Sequence, residues 1–151
     1  MNRFADKLSF FAITLWVGGL WAIGYLAAPV LFSSLGDKML AGMLAGKMFT
    51  WIAYVGMGCG VYLLIHRLAV FGGSALKQGF FWAVLVMLLL TAAIHFGIQP
   101  ILAGLKEQAL PKEVMESMFR DRFARWHGIS SIGYLIESLL GLFLVLAPRR
   151  S

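Results

Sequence analysis

Glu137 is the residue most able to do chemistry in this sequence, because it stands midway along an otherwise uncharged stretch, residues 126–148. If that stretch crosses a bilayer, an ionised carboxylate at its centre costs about 3 kcal/mol on insertion scales. Three arrangements are physically allowed. The acid carries its proton, or it pairs with a cation or strong donor, or it lines a cavity filled by water or ligand. Ser130, Gly133, Tyr134, Glu137, Gly141 and Leu144 share one side of a helix. That side is small and polar, so it is expected to face protein rather than lipid. A second polar set, Thr91, His95 and Gln99, recurs at spacing four and also falls on one helical face. Counting inward along antiparallel helices puts His95 near the level of Tyr134 and Thr91 near that of Glu137. Glu137, His95, Thr91, Gln99, Ser130 and Tyr134 are therefore the expected intramembrane polar centre, with a His95–Glu137 hydrogen bond or ion pair at its heart. Such pairs serve either to fix helix register or to handle a proton, ion or cofactor.

Metal and haem chemistry turn on the histidines. His95 and His127 are the candidate ligands. Bis-His haem ligation needs two histidines at matching depth on facing helices. His127 is nearer the surface than His95, and His66 closes a different stretch at the opposite surface. No cofactor is expected on this count, and haem b is the alternative. Met39, Met43 and Met48 have irregular spacing and no adjoining His or Cys, so they read as gap-filling packing. Cys59, the single cysteine, sits in an apolar run and reads as a small packing residue. No Ser-His-Asp set, cysteine cluster, phosphate-binding glycine loop or dicarboxylate pair is present, so no catalytic residue is assigned.

The elements that must position these residues follow from hydropathy. The chain has 151 residues, 60% of them hydrophobic and 13% charged. A soluble domain is nearer half apolar and a quarter charged. One domain of this length cannot bury so much apolar surface in its own core, so lipid must cover the excess. The net charge is +6, but the charges lie between apolar runs or at the ends rather than interleaved with aromatics. Nucleic acid is thereby excluded as the partner, and anionic headgroups suit the basic loops.

Four uncharged runs, residues 8–36, 48–66, 78–105 and 126–148 apart from Glu137, reach or approach the length needed to span hydrocarbon. The expected architecture is an all-α transmembrane four-helix bundle, a single domain over 1–151 with spans at about 8–32, 46–69, 78–103 and 125–147. The first run is too long for a signal peptide and reads as a retained helix. Asp37 is the expected N-cap of the second helix, which begins near Lys38, outside the hydrocarbon. Gly72 and Gly73 break the chain before the third helix, and Pro29 and Pro100 predict bends. Gly18, Gly24, Gly56 and Gly60 belong to small-xxx-small patterns that let helices approach closely. Between the third and fourth spans, Val114, Met115, Met118, Phe119 and Phe123 recur at helical spacing, with Pro111 suited to a first turn. That predicts an amphipathic helical segment before the fourth span. Pro148, Arg149 and Arg150 end the fourth. Similarity between the two halves is not evident.

Three segments carry a resemblance: LWVGGLWAIGYLAAPVLF, IQPILAGLK and FARWHGISSIGYL. Together they resemble the bacterial uncharacterised four-helix membrane proteins related to human transmembrane protein 205. That set is distantly similar to copper-resistance D-like proteins and to four-helix protoporphyrinogen oxidases. The resemblance implies an architecture rather than an activity. Its relatives suggest haem or copper, but the oxidase pattern uses a first-helix histidine and the first helix here has none. Pro100, His127 and Gly128 match the family pattern without an assigned role.

Lysines and arginines number six on the side of the two ends and seven on the side of the first and third loops. Four acidic residues dilute the third loop, which favours both ends in the cytoplasm. The function expected is a non-enzymatic protein of the bacterial inner membrane: a scaffold, a small-ligand or lipid binder, or an accessory subunit. Its partners would be the bilayer and either other membrane subunits or further copies of itself. The alternatives are a haem- or metal-binding redox protein, and proton- or ion-coupled transport centred on Glu137 and His95.

Overall fold

A computed structural model describes residues 3–147. Among the described residues, four long apolar helices make up the molecule, each with the length and composition to cross a membrane. The protein is an all-α, multi-pass membrane bundle. Here α1 is Arg3–Ser34, α2 is Lys38–Phe71, α3 is Gly79–Ala109 and α4 is Arg120–Leu146. Hydrocarbon offers the backbone no partner, and a helix satisfies its own donors and acceptors within the segment. Hence the helices run past the apolar stretches that define them. The expected end of α4 at Pro148, Arg149 and Arg150 lies outside the described residues.

The four helices run up and down, with α1 and α3 each packed against both α2 and α4. Asp37 caps α2, its Oδ1 accepting from the backbone N–H groups of Met39 at 2.8 Å and Leu40 at 3.1 Å. Gly72 ends α2 with φ +54°, a conformation that suits a residue without Cβ. The short turn that follows is clamped by Arg67, whose Nε donates to Gln78 Oε1 at 2.7 Å. Its guanidinium also covers the rings of Phe71 and Phe80 at 4.6 and 4.4 Å.

Pro29 and Pro100 shape α1 and α3 in the same way. Each proline follows a π-helical segment, Ala22–Ala27 in α1 and Ala93–Ile98 in α3. The residue before each proline bonds five residues back, Ala28 to the Ile23 carbonyl and Gln99 to that of Ile94. Proline has no N–H, and its ring would collide with the carbonyl four residues earlier. The wider turn removes that conflict. The two segments share a pattern: Ala22-Ile23, Tyr25 and Pro29 echo Ala93-Ile94, Phe96 and Pro100. This is a local similarity between the halves, confined to the π-helical segments and their prolines.

The core is closed by Trp16, which is 1% exposed and fills the space over two glycines. A Cβ on Gly56 would run into the Trp16 indole, and one on Gly60 would stand 3.1 Å from the ring. Gly24 leaves room for Tyr134, and Gly141 for Val17. Gly18 has no neighbour within 4 Å of where a Cβ would lie. Gly19, one residue on, is the position that packs against Ile52.

The helical segment before the fourth span is shorter than the apolar spacing implied. It consists of one 3-10 turn, Val114–Glu116, before α4 begins at Arg120. Pro111 follows a cis peptide bond in a turn and does not open a helix. Side chains compete with helix formation here: Glu113 accepts from the Met115 N–H, and Ser117 Oγ from that of Phe119. Val114 packs under this loop with Leu105 and Ala109, a small apolar cluster separate from the main core.

Two stability changes follow. Gly56→Leu should lower the thermal midpoint in detergent strongly, by overpacking against Trp16 that costs about 1–3 kcal/mol or more, whereas Gly18→Ala should leave it nearly unchanged. Asp37→Ala should cost about 1 kcal/mol through loss of the α2 cap, read in the same melting experiment.

Candidate functional site

Glu137 is buried at 2% exposure and meets Thr91, itself buried, across the α3–α4 contact. Thr91 Oγ1 lies 2.5 Å from Glu137 Oε1 and 2.9 Å from the Met87 carbonyl oxygen. A hydroxyl has one proton and can serve one acceptor at a time. The chain of contacts closes when the carboxyl carries a proton and donates to Thr91, which then donates to Met87. In that form no charge needs stabilising at mid-membrane.

The register of α3 against α4 follows the depth count from the sequence, with Ile94 resting on Gly133 one turn from the Thr91–Glu137 contact. His95 does not take part. It sits in the π-helical segment of α3 and turns toward α2, edge-on to Tyr54 at 4.7 Å between ring centroids. It also touches Phe96 at 4.8 Å. The expected His95–Glu137 bond is therefore replaced by Thr91–Glu137, with Thr91 on the side of α3 that meets α4 and His95 on the side that meets α2.

Tyr134 belongs to a second polar contact, between α4 and α1. Its hydroxyl donates to the Leu20 carbonyl at 2.5 Å, and Tyr25 donates to Ser138 Oγ at 2.8 Å. The rings of Tyr25 and Tyr134 meet edge to face at 6.2 Å. Tyr25 and Ser138 were not singled out from sequence. Tyr25 lies in a run with no periodic polar signal, and Ser138 adjoins Glu137 without distinction. Ser130 Oγ donates to the His127 carbonyl on its own helix, at 3.0 Å. Gln99 is half-buried and makes no side-chain hydrogen bond among the described residues. His127 is exposed and stacks on Phe123 at 5.7 Å, near the loop rather than at mid-membrane.

Between α1 and α4 a groove of about 440 Å³ opens sideways, lined by Trp21, Tyr25, Leu135, Ser138, Leu139 and Leu142. It is almost wholly apolar and does not reach Glu137. Among the described residues, no three of His, Cys, Asp and Glu come together as a metal site would require. Chemically, then, the arrangement joins helices by buried hydrogen bonds and offers an apolar side groove.

A family profile described as a domain of unknown function, DUF4149, matches residues 11–111, two-thirds of the chain. The chain belongs to the DUF4149 family. The DUF4149 match takes in Thr91 and His95 and stops at Pro111, short of the helix that carries Glu137. It names no activity, and it names neither the transmembrane protein 205 nor the copper-resistance D relationship read from the motifs. Chitin synthase 1 of Fusarium oxysporum f. sp. lycopersici is 32% identical over 114 residues, covering 71% of this chain and 13% of that protein. Chitin synthase 1 of Gibberella zeae is 30% identical over 115 residues, 72% of this chain and 13% of the relative. This DUF4149 chain thus spans about an eighth of the length of the curated relatives it matches. No solved structure is a significant match.

Thr91→Val should strand the Glu137 carboxyl and cost about 1–3 kcal/mol. In a Glu137→Leu background the same change should cost little, and a thermal double-mutant cycle in detergent reads the difference. Equal costs in both backgrounds would show that the two side chains are not coupled.

Proposed function

We propose that this protein is a non-enzymatic membrane subunit, a scaffold or accessory bundle whose role is to pack against lipid and other membrane segments. One observation carries the reading. The only acid at mid-membrane among the described residues is tied to Thr91 in a closed helix–helix contact, not aimed into the side groove. A catalytic or transporting carboxyl needs access to a substrate, ion or water. The stretch shared with chitin synthase 1 supports the accessory role, since sequence of this kind forms a small part of a much longer protein. The groove between α1 and α4 fits an acyl chain, with the Tyr25–Ser138 pair as its polar spot. Residence in a bacterial inner membrane with both ends cytoplasmic belongs to the same proposal and rests on the loop charges.

Buried Glu137 favours a second reading, proton- or ion-coupled transport. Proton flux into liposomes that is lost in Glu137→Gln would establish that reading over the first.

The redox alternative is separated by spectroscopy. Protein purified in mild detergent should show no Soret band and no stoichiometric copper, iron or zinc. A Soret band or stoichiometric metal that disappears in His95→Ala would overturn the accessory reading.

A further inference from the structure

Tyr54 and His95 form a polar patch on the outer side of the α2–α3 pair, well inside the span. Tyr54 lies about 10 Å along α2 from Lys47, and His95 about 16 Å along α3 from Lys106. Tyr54 is 52% exposed, and its hydroxyl makes no hydrogen bond among the described residues. His95 Nδ1 is buried without a hydrogen-bond partner, and Nε2 has none either among the described residues. Polar groups at this depth are costly when they face acyl chains and are normally satisfied by protein. Nothing else among the described residues hydrogen-bonds to them, so a partner from outside the chain would satisfy the Tyr54 hydroxyl and His95 Nε2.

Resting on the subunit reading above, we propose that the α2–α3 face is the contact between two copies of this chain, related by a two-fold axis along the membrane normal. Three features select a second copy. The patch is self-complementary. A proton on buried Nδ1 would be an orphan donor, so the proton belongs on Nε2, and a phenol oxygen accepts from it. Two copies inserted in the same direction keep every residue at its depth, so each His95 meets the Tyr54 of the other copy at one level. An isologous contact of this kind forms both bonds at once. The backbone can also approach closely. Trp51, Tyr54, Gly58, Val61 and Ile65 are exposed along α2 at alternating spacings of three and four, the seam of a left-handed helix pair. Gly58 has open space where a Cβ would stand, one turn from Tyr54. Small residues at such positions are what membrane helix pairs use.

The test is dimerisation of the full chain in liposomes, read by single-molecule photobleaching over a range of protein-to-lipid ratios. Wild type should pass from one bleaching step to two as density rises. Tyr54→Phe and His95→Leu should each weaken association roughly five- to tenfold, the strength of two membrane hydrogen bonds. The double variant should be no weaker than either single one, because each change alone removes both bonds. Gly58→Leu should abolish the dimer while leaving the thermal midpoint unchanged, since its side chain meets nothing within the chain. A protein that stays monomeric at every density, alone or with lipid held across this face, overturns the proposal. So does association that Gly58→Leu leaves intact. The metal and absorption measurements are untouched by either result, so the two readings fail separately.

Discussion

Hydrocarbon offers no hydrogen bonds, and most of the structure is arranged around the need to make them internally. The backbone answers by forming helices that run past the apolar stretches, at both ends in α2 and at one end in the others. Ahead of each proline the chain widens into a π-helical turn, with Ala28 and Gln99 bonding five residues back. Side chains answer in the same way. Thr91 closes off Glu137, Tyr134 finds the Leu20 carbonyl, and Tyr25 finds Ser138. These contacts sit between neighbouring helices and pin α4 to both α3 and α1.

Packing supplies the attraction that water would otherwise provide. With lipid as apolar as the helices, close van der Waals contact decides which faces meet. Trp16 against Gly56 and Gly60 is the clearest case, a large ring set into a hollow that only residues without side chains leave open. Val84 and Met87 on α3 and Leu144 on α4 complete the same cluster. One aromatic residue on α1 therefore organises the whole cross-section. Below it, the glycine beneath Tyr134 repeats the device at the level of the polar contacts.

The sides turned outward are where function is to be sought. Most are covered by Leu, Ile, Val and Phe, as lipid contact requires. Two places differ: the α1–α4 groove with its single polar spot, and the face where Tyr54 and His95 stand without partners.

Sequence alone determined the four helices and their order, because uncharged runs of spanning length have one low-energy answer in lipid. It also set the depth at which Thr91 and Glu137 meet, since rise per residue is constant and the loops define the ends. The Asp37 cap was legible for the same local reason. Which faces of those helices meet was not legible. Residues four apart share one side of a helix only to within about 40°, so the even spacing of Thr91, His95 and Gln99 did not tell that Thr91 meets α4 while His95 meets α2. The spacing of small residues could not separate Gly18, which faces no neighbour, from Gly56, which receives a tryptophan. The loop before α4 misled for a related reason. Its apolar spacing suited a helix, but local side-chain bonds from Glu113 and Ser117 won over it. Rotation about the helix axis and the choice between competing local bonds are settled only when the helices pack, and there the tertiary structure decided.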